Sequence, residues 1–176
     1  MRLTALGDLT PAELSEVRSL LDAAFGGEFT DDDFDHALGG THVLVYRDGW
    51  LVGHASVVPR TLRVDDEATA AGYVEGVAVA ENHRRHGIGG LLVDRVNGIV
   101  DTDYALGALA ASREALRLYL AHGWTPWDGP LGVDTDTGWL ETPEERGSIL
   151  VRCTPRGGPV DVSGTLTCDQ RSGDDW

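Results

Sequence analysis

Near the middle of the chain, Arg84-Arg85-His86-Gly87-Ile88-Gly89 combines the features an anionic ligand needs. Guanidinium groups make charge-assisted hydrogen bonds to phosphate. Glycines let the backbone come close to such a group and adopt left-handed dihedrals that other residues resist. The stretch follows a strand-like run, residues 72–79, and precedes a run with Leu91, Leu92, Val96 and Ile99 at helical spacing, expected to be a helix over about 87–100. A helix start leaves backbone N–H groups unpaired and carries partial positive charge, so it binds anions well. Gly87 and Gly89 would also serve a plain tight turn; their place between a strand and a helix favours binding. The Lys-Ser/Thr of a P-loop and the G-x-G-x-x-G of a dinucleotide fold are absent.

Glu75 is the second candidate, a carboxylate in an otherwise apolar strand, where it is costly unless it lines a pocket or meets water. Regular alternation would put Tyr73, Glu75, Val77 and Val79 on one face. Tyr119 lies at helical spacing with Leu116 and Leu120, as a core-edge aromatic does. Acids crowd three places: Glu28 with Asp31, Asp32, Asp33 and Asp35; Glu141, Glu144 and Glu145; and Asp174, Asp175 and the end of the chain at Trp176. Acids at 31–33 also suit a helix start. Cys153 and Cys168 have no metal-ligand spacing and read as free thiols, so no metal is expected.

The elements that must position these residues are legible in outline. Thr10-Pro11-Ala12-Glu13 is a capping box with proline at the first helical position, and Gly26-Gly27 ends that helix. A shorter helix starts at Thr30, with Asp33 three residues later. Residues 42–46 and 50–58 read as a hairpin about Asp48-Gly49. Pro59 is expected to mark a strand end or an edge position, with a short third strand at 61–64 before an acidic turn at 65–67. A buried strand over 104–110, a helix capped by Ser112 and closed by Gly123, and a strand region from Trp124 follow. Residues 135–147 read as a loop or flap, 149–151 as a strand, and 160–168 as an edge element. The expected fold is α/β, a single domain over 1–176 with a mixed central sheet and flanking helices.

The chain has 176 residues, 41% of them hydrophobic, which suits one packed domain. Its apolar runs are too short to span a bilayer and its start lacks a secretory signal, so a cytoplasmic protein is expected. A formal net charge of −15 repels a phosphate backbone and attracts small cations, so nucleic acid is not an expected partner.

The strand, phosphate loop and helix resemble those of the GCN5-related N-acetyltransferases (GNAT). Gly-Glu-Phe-Thr around Glu28, the run from Gly72 to Val79, Arg117-Leu-Tyr119, Gly123-Trp-x-Pro-Trp127 and Arg171-x-Gly-Asp-x-Trp176 resemble, more narrowly, the bacterial aminoglycoside 2'-N-acetyltransferases. The likeness runs from about Leu9 to Trp176.

It implies acetyl-CoA as donor, with the pantetheine arm on Val77, Ala78 and Val79 and the pyrophosphate on Arg84, Arg85, His86, Gly87, Ile88 and Gly89. Amine acetylation needs a base, an oxyanion donor and an acid for the thiolate. The resemblance implies Glu75 acting through ordered water, a backbone N–H near Val77, and the Tyr119 hydroxyl. A cationic aminoglycoside would be held by Glu28, Asp33, Glu75, Gly76, Glu145, Asp174 and the terminal carboxylate of Trp176. A homodimer is also implied. The chain departs from the pattern with Glu28 and Glu145 in place of aspartates and Ala110 in place of a serine. Another amino sugar or a polyamine as acceptor, and a non-catalytic binding module, are the alternative readings.

Overall fold

The computed structural model describes residues 2–6 and 9–176, with side chains from Leu9 onward. The chain forms two compact units: residues up to Val58 with Val74–Gly98, and Pro59–Tyr73 with Ile99–Trp176. The long strands β3 (Trp50–Val64) and β4 (Glu67–Val79) each contribute to both.

In the first unit, β1 (Arg2–Leu6) pairs antiparallel with β2 (Thr41–Arg47), which pairs with the first half of β3. The last part of β4 lies beside β3 as the edge strand of this unit. Helix α1 (Pro11–Phe25) has the expected capping box of Thr10 and Glu13 and ends at Gly26 with φ +65°. Helix α2 (Asp31–Ala37) has a second box, Thr30 with Asp33. Val17, Leu20 and Leu21 of α1 pack with Leu44, Ala78 and the partly buried Phe34. Residues Ile88 to Gly98 of helix α3 (Ile88–Asp103) approach the strands at Gly53. A Cβ on Gly53 would lie 2.9 Å from Ile88 Cγ2 and 3.3 Å from Leu92 Cδ1, so glycine permits the helix to sit this close.

In the second unit the strand order is β6-β9-β5-β4-β3-β10-β7-β8, a mixed sheet. These are β5 (Leu106–Ala110), β6 (Thr125–Pro126), β7 (Leu131–Thr135), β8 (Gly138–Glu141), β9 (Ile149–Cys153) and β10 (Leu166–Asp169). Strands β4–β5 and β7–β10 are parallel. Helix α4 (Leu116–Ala121) follows β5. The core joins Tyr73, Leu106, Trp127, Leu131, Ile149, Leu166 and Trp176. Arg152 ties three elements together. It makes a two-pronged contact with Asp101 (Nε to Oδ1 2.9 Å, Nη2 to Oδ2 2.7 Å) and donates to the carbonyl of His122 at the end of α4.

Four expectations are corrected. The short third strand expected at 61–64 is the end of β3, which runs unbroken through Pro59. Of its two expected roles Pro59 takes the edge position, since the pairing of β3 with β2 ends at Val57 and that with β10 begins at Leu62. The 135–147 segment includes β8, paired with β7. β10 is interior, with β3 on one side and β7 on the other, which the burial of Leu166, Thr167 and Cys168 explains. A strand, β1, precedes the first helix. Asp65 and Asp66, both at positive φ (46° and 67°), form the tight turn between β3 and β4.

Candidate active site

The first unit holds the loop, Glu75, Gly76, Val77, Ala78, Val79, Glu28 and Asp33. Arg85 and Gly87 have φ of +62° and +81°, so the chain twists twice through the left-handed region before α3. The first helical bond runs from Leu91 N to Gly87 O at 3.1 Å. The N–H groups of Ile88, Gly89 and Gly90 therefore belong to the open first turn, directed at the loop's exposed side. Residues 84–87 are exposed, and Ile88 is buried and anchors the turn.

The two arginines differ. Arg84 donates from Nε to Val79 O (3.1 Å) and from Nη2 to Ala24 O (3.4 Å), so it binds the loop to β4 and to the end of α1. Arg85 is an exposed side chain on a left-handed backbone. His86 Nδ1 donates to Arg84 O at 2.8 Å, which closes the turn.

Glu75 is partly buried on β4. The next residue, Gly76, has φ +57°, so regular alternation is interrupted between Glu75 and Val77 and the shared face expected for them is not formed. Two side chains of β3 take up the carbonyls at this break. Ser56 Oγ donates to Glu75 O (3.2 Å), and His54 Nδ1 to Gly76 O (2.7 Å). His54 Nε2 is 3.1 Å from His42 Nδ1 on β2. Burial lowers both imidazoles, His54 to about 4 against the opposing hydrogen bond to Gly76.

Sequence reasoning missed this pair because a bulge makes it. The β2–β3 register shifts between Val45 and Tyr46, which leaves Val52 unpaired and sets His42 opposite Ser56 and Leu44 opposite His54. Without that extra residue the two histidines would project from opposite faces of the hairpin.

Glu28 is exposed, and Asp33 has Oδ2 committed to its capping box, accepting from Thr30 N (2.8 Å) and Thr30 Oγ1 (2.9 Å). The other predicted residues lie in the second unit. Tyr119 is buried on α4 against Trp124, ring centroids 6.1 Å apart and 70° between planes. Burial pushes its phenol far above the usual range, so the hydroxyl keeps its proton. Glu145 Oε2 accepts from Ser148 Oγ at 2.7 Å.

Asp174 and Trp176 belong to a cross-linked segment. Trp176 N donates to Asp174 Oδ1 (3.2 Å), and its indole Nε1 to Thr142 Oγ1 (3.0 Å). Arg171 donates from Nε to Asp174 O (2.7 Å) and from Nη2 to Trp176 O (2.9 Å), and Arg60 Nη2 reaches Asp175 O (2.9 Å). The structure thus gathers Asp174 and Trp176 with Arg171, and sets the loop beside β4 through Arg84.

The chain matches the acetyltransferase (GNAT) domain family over residues 6–127. It is 40% identical over 177 residues to an aminoglycoside 2'-N-acetyltransferase of Mycolicibacterium fortuitum, covering 99% of this chain and 91% of that one. Among solved structures, it is similar to a GNAT-family N-acetyltransferase (YhbS) of Escherichia coli in complex with CoA, with a TM-score of 0.63 and 19% identity over 95% of this chain and 89% of that one. A putative N-acetyltransferase of Lactobacillus plantarum aligns with a TM-score of 0.59 and 16% identity, over 87% and 99% of the two chains.

Proposed function

Since the chain belongs to the GNAT acetyltransferase family, we propose that it is an aminoglycoside 2'-N-acetyltransferase, transferring acetyl from acetyl-CoA to the 2'-amine of its substrate. The observation that carries this is the 40% identity to such an enzyme over 99% of the chain, a span far wider than the loop alone.

The loop fits a pyrophosphate by backbone chemistry. The first-turn N–H groups of α3, with Gly87 and Gly89 admitting close approach, supply the anion contacts; Arg85 adds charge, and Arg84 holds the loop in shape. Along Val77, Ala78 and Val79, the edge of β4 in its unit offers backbone groups to an extended amide-bearing arm, as in strand addition. Acetyl-CoA supplies the thioester whose acyl carbon accepts the amine.

The rest of the chemistry falls to side chains. Glu75 takes the proton of the 2'-ammonium through water, and the neutral Tyr119 hydroxyl protonates the departing thiolate. The carboxylates of Glu28, Asp33, Glu145 and Asp174, with Trp176, pair with the ammonium groups of the acceptor, each of which needs an anionic partner when desolvated. A net charge of −15 draws such a polycation in. No helix among the described residues is long and apolar enough to cross a membrane. We place the enzyme in the cytoplasm, where acetyl-CoA is made, as a homodimer on the family likeness.

The test is thiol release from acetyl-CoA with tobramycin or gentamicin, with Glu75→Ala and Tyr119→Phe as controls. Turnover that both substitutions reduce by about 100-fold or more supports the reading. No turnover on any aminoglycoside with a free 2'-amine contradicts it.

A further inference from the structure

The buried histidines of the first unit do work that no proposed catalytic role yet uses. A carbonyl only accepts, so the 2.7 Å contact to Gly76 O requires the proton on His54 Nδ1. His54 Nε2 is then an acceptor, and His42 Nδ1, 3.1 Å away, must be the donor to it. The hydrogen bonds therefore run one way, from His42 through His54 to the backbone of β4.

Ser56 stands two residues from His54, on the same face of β3, and takes the preceding carbonyl, Glu75 O, at 3.2 Å. Consecutive carbonyls in a regular strand point to opposite sides. Here both are turned to side chains of β3, which the left-handed φ of Gly76 allows. A trans peptide fixes its N–H opposite its C=O. The N–H groups of Gly76 and Val77 are therefore both turned away from His54 and Ser56. Two adjacent N–H groups aimed one way are the geometry that stabilises a developing oxyanion. Space enforces the arrangement: a Cβ on Gly76 would lie 3.2 Å from His54 Cε1 and 3.3 Å from Ala37 Cβ.

We propose that His54, oriented by His42 and assisted by Ser56, is a positioning residue that clamps the break in β4 so that the Gly76 and Val77 N–H groups are preorganised as the oxyanion hole. The proposal rests on the acetyl-transfer reading above. His54 and Ser56, both fully buried, act through the backbone and touch no substrate themselves.

The experiment compares wild type with His54→Leu, His54→Asn and Ser56→Ala. Leucine fills the space and removes the donor, whereas asparagine returns an N–H near the place of Nδ1. The expected result for His54→Leu is a kcat loss of roughly 100-fold, since removing one oxyanion donor costs about that much. The Kd for CoA by calorimetry should stay within about threefold, and His54→Asn should recover most of kcat. Ser56→Ala should lower kcat by about fivefold, the worth of one ordinary hydrogen bond, and decides the matter if His54→Leu does not fold.

Spectra of 15N-histidine wild-type enzyme should show both rings as Nδ1–H tautomers. An unchanged kcat in the folded variants, a loss matched by an equal rise in CoA Kd and not recovered by asparagine, or an Nε2–H tautomer at His54 overturns the clamp. Absence of transfer by wild type would sink the functional reading instead, so the two failures are distinct.

Discussion

The 84–89 loop and the 171–176 segment are both short and charged, yet they are held in opposite ways. The loop is shaped by its backbone: Arg85 and Gly87 at positive φ, the open first turn of α3, and Arg84 and His86 bonded to carbonyls. The segment is shaped by side chains that cross-link it, with Arg171 and Arg60 on carbonyls and the Trp176 indole on Thr142. A backbone grip suits the proposed task of the loop, to hold the phosphates common to every CoA ester. A side-chain lattice can be retuned residue by residue, which suits the segment proposed to meet the acceptor. Tight turns should therefore be the sensitive element in the loop, and guanidinium contacts the sensitive element in the segment.

The largest effect expected is on stability and singles out the strands of the unit that carries the loop. His54 has a folded pKa of about 4 against an ordinary 6.5, lowered by burial. As pH falls below 6.5 the unfolded chain takes up a proton first, so stability present above 6.5 is lost progressively down to about 4. That amounts to something on the order of 3 kcal/mol. Urea unfolding from pH 7 to 4 should show this slope, and His54→Leu should flatten it. An identical slope in the variant would place the acid sensitivity elsewhere.

Gly87→Val forces a branched residue to φ +81°. We expect the KM for acetyl-CoA to rise by about 30-fold, from strain and the blocked approach of phosphate, with little change in the aminoglycoside KM. Arg171→Ala should give the mirror image. Removing its contacts to Asp174 and Trp176 should raise the aminoglycoside KM by about tenfold and leave that for acetyl-CoA within about twofold. The smallest effect is expected from Arg85→Ala, about threefold in acetyl-CoA KM, because the backbone carries the grip. If Arg85→Ala costs more than Gly87→Val, the contrast between the two regions is wrong.

What could be read from the sequence was what local chemistry decides. Thr10 with Glu13, Thr30 with Asp33, and Asp48-Gly49 each determine a cap or turn by neighbouring residues, and all three form. The 84–89 loop was legible for the same reason. What long-range pairing decides was not. β10 meets β3 across about a hundred residues, Leu166 opposite Val64, and nothing in residues 160–168 names that partner. The one-residue bulge on the β2–β3 hairpin reverses which face His54 presents, so the pair with His42 was hidden. The break at Gly76 was hidden too, because a glycine in a strand signals several different geometries. The aminoglycoside assignment came from likeness across the whole chain, since no local pattern of acids specifies one amine.

The central claim is that this enzyme acetylates the 2'-amine. The direct measurement is to incubate it with acetyl-CoA and tobramycin, isolate the product, and locate the new amide by mass spectrometry and NMR. A single acetyl group on the 2'-nitrogen is the predicted result. Acetylation at another nitrogen, or recovery of unmodified tobramycin and of other aminoglycosides with a free 2'-amine, would contradict it.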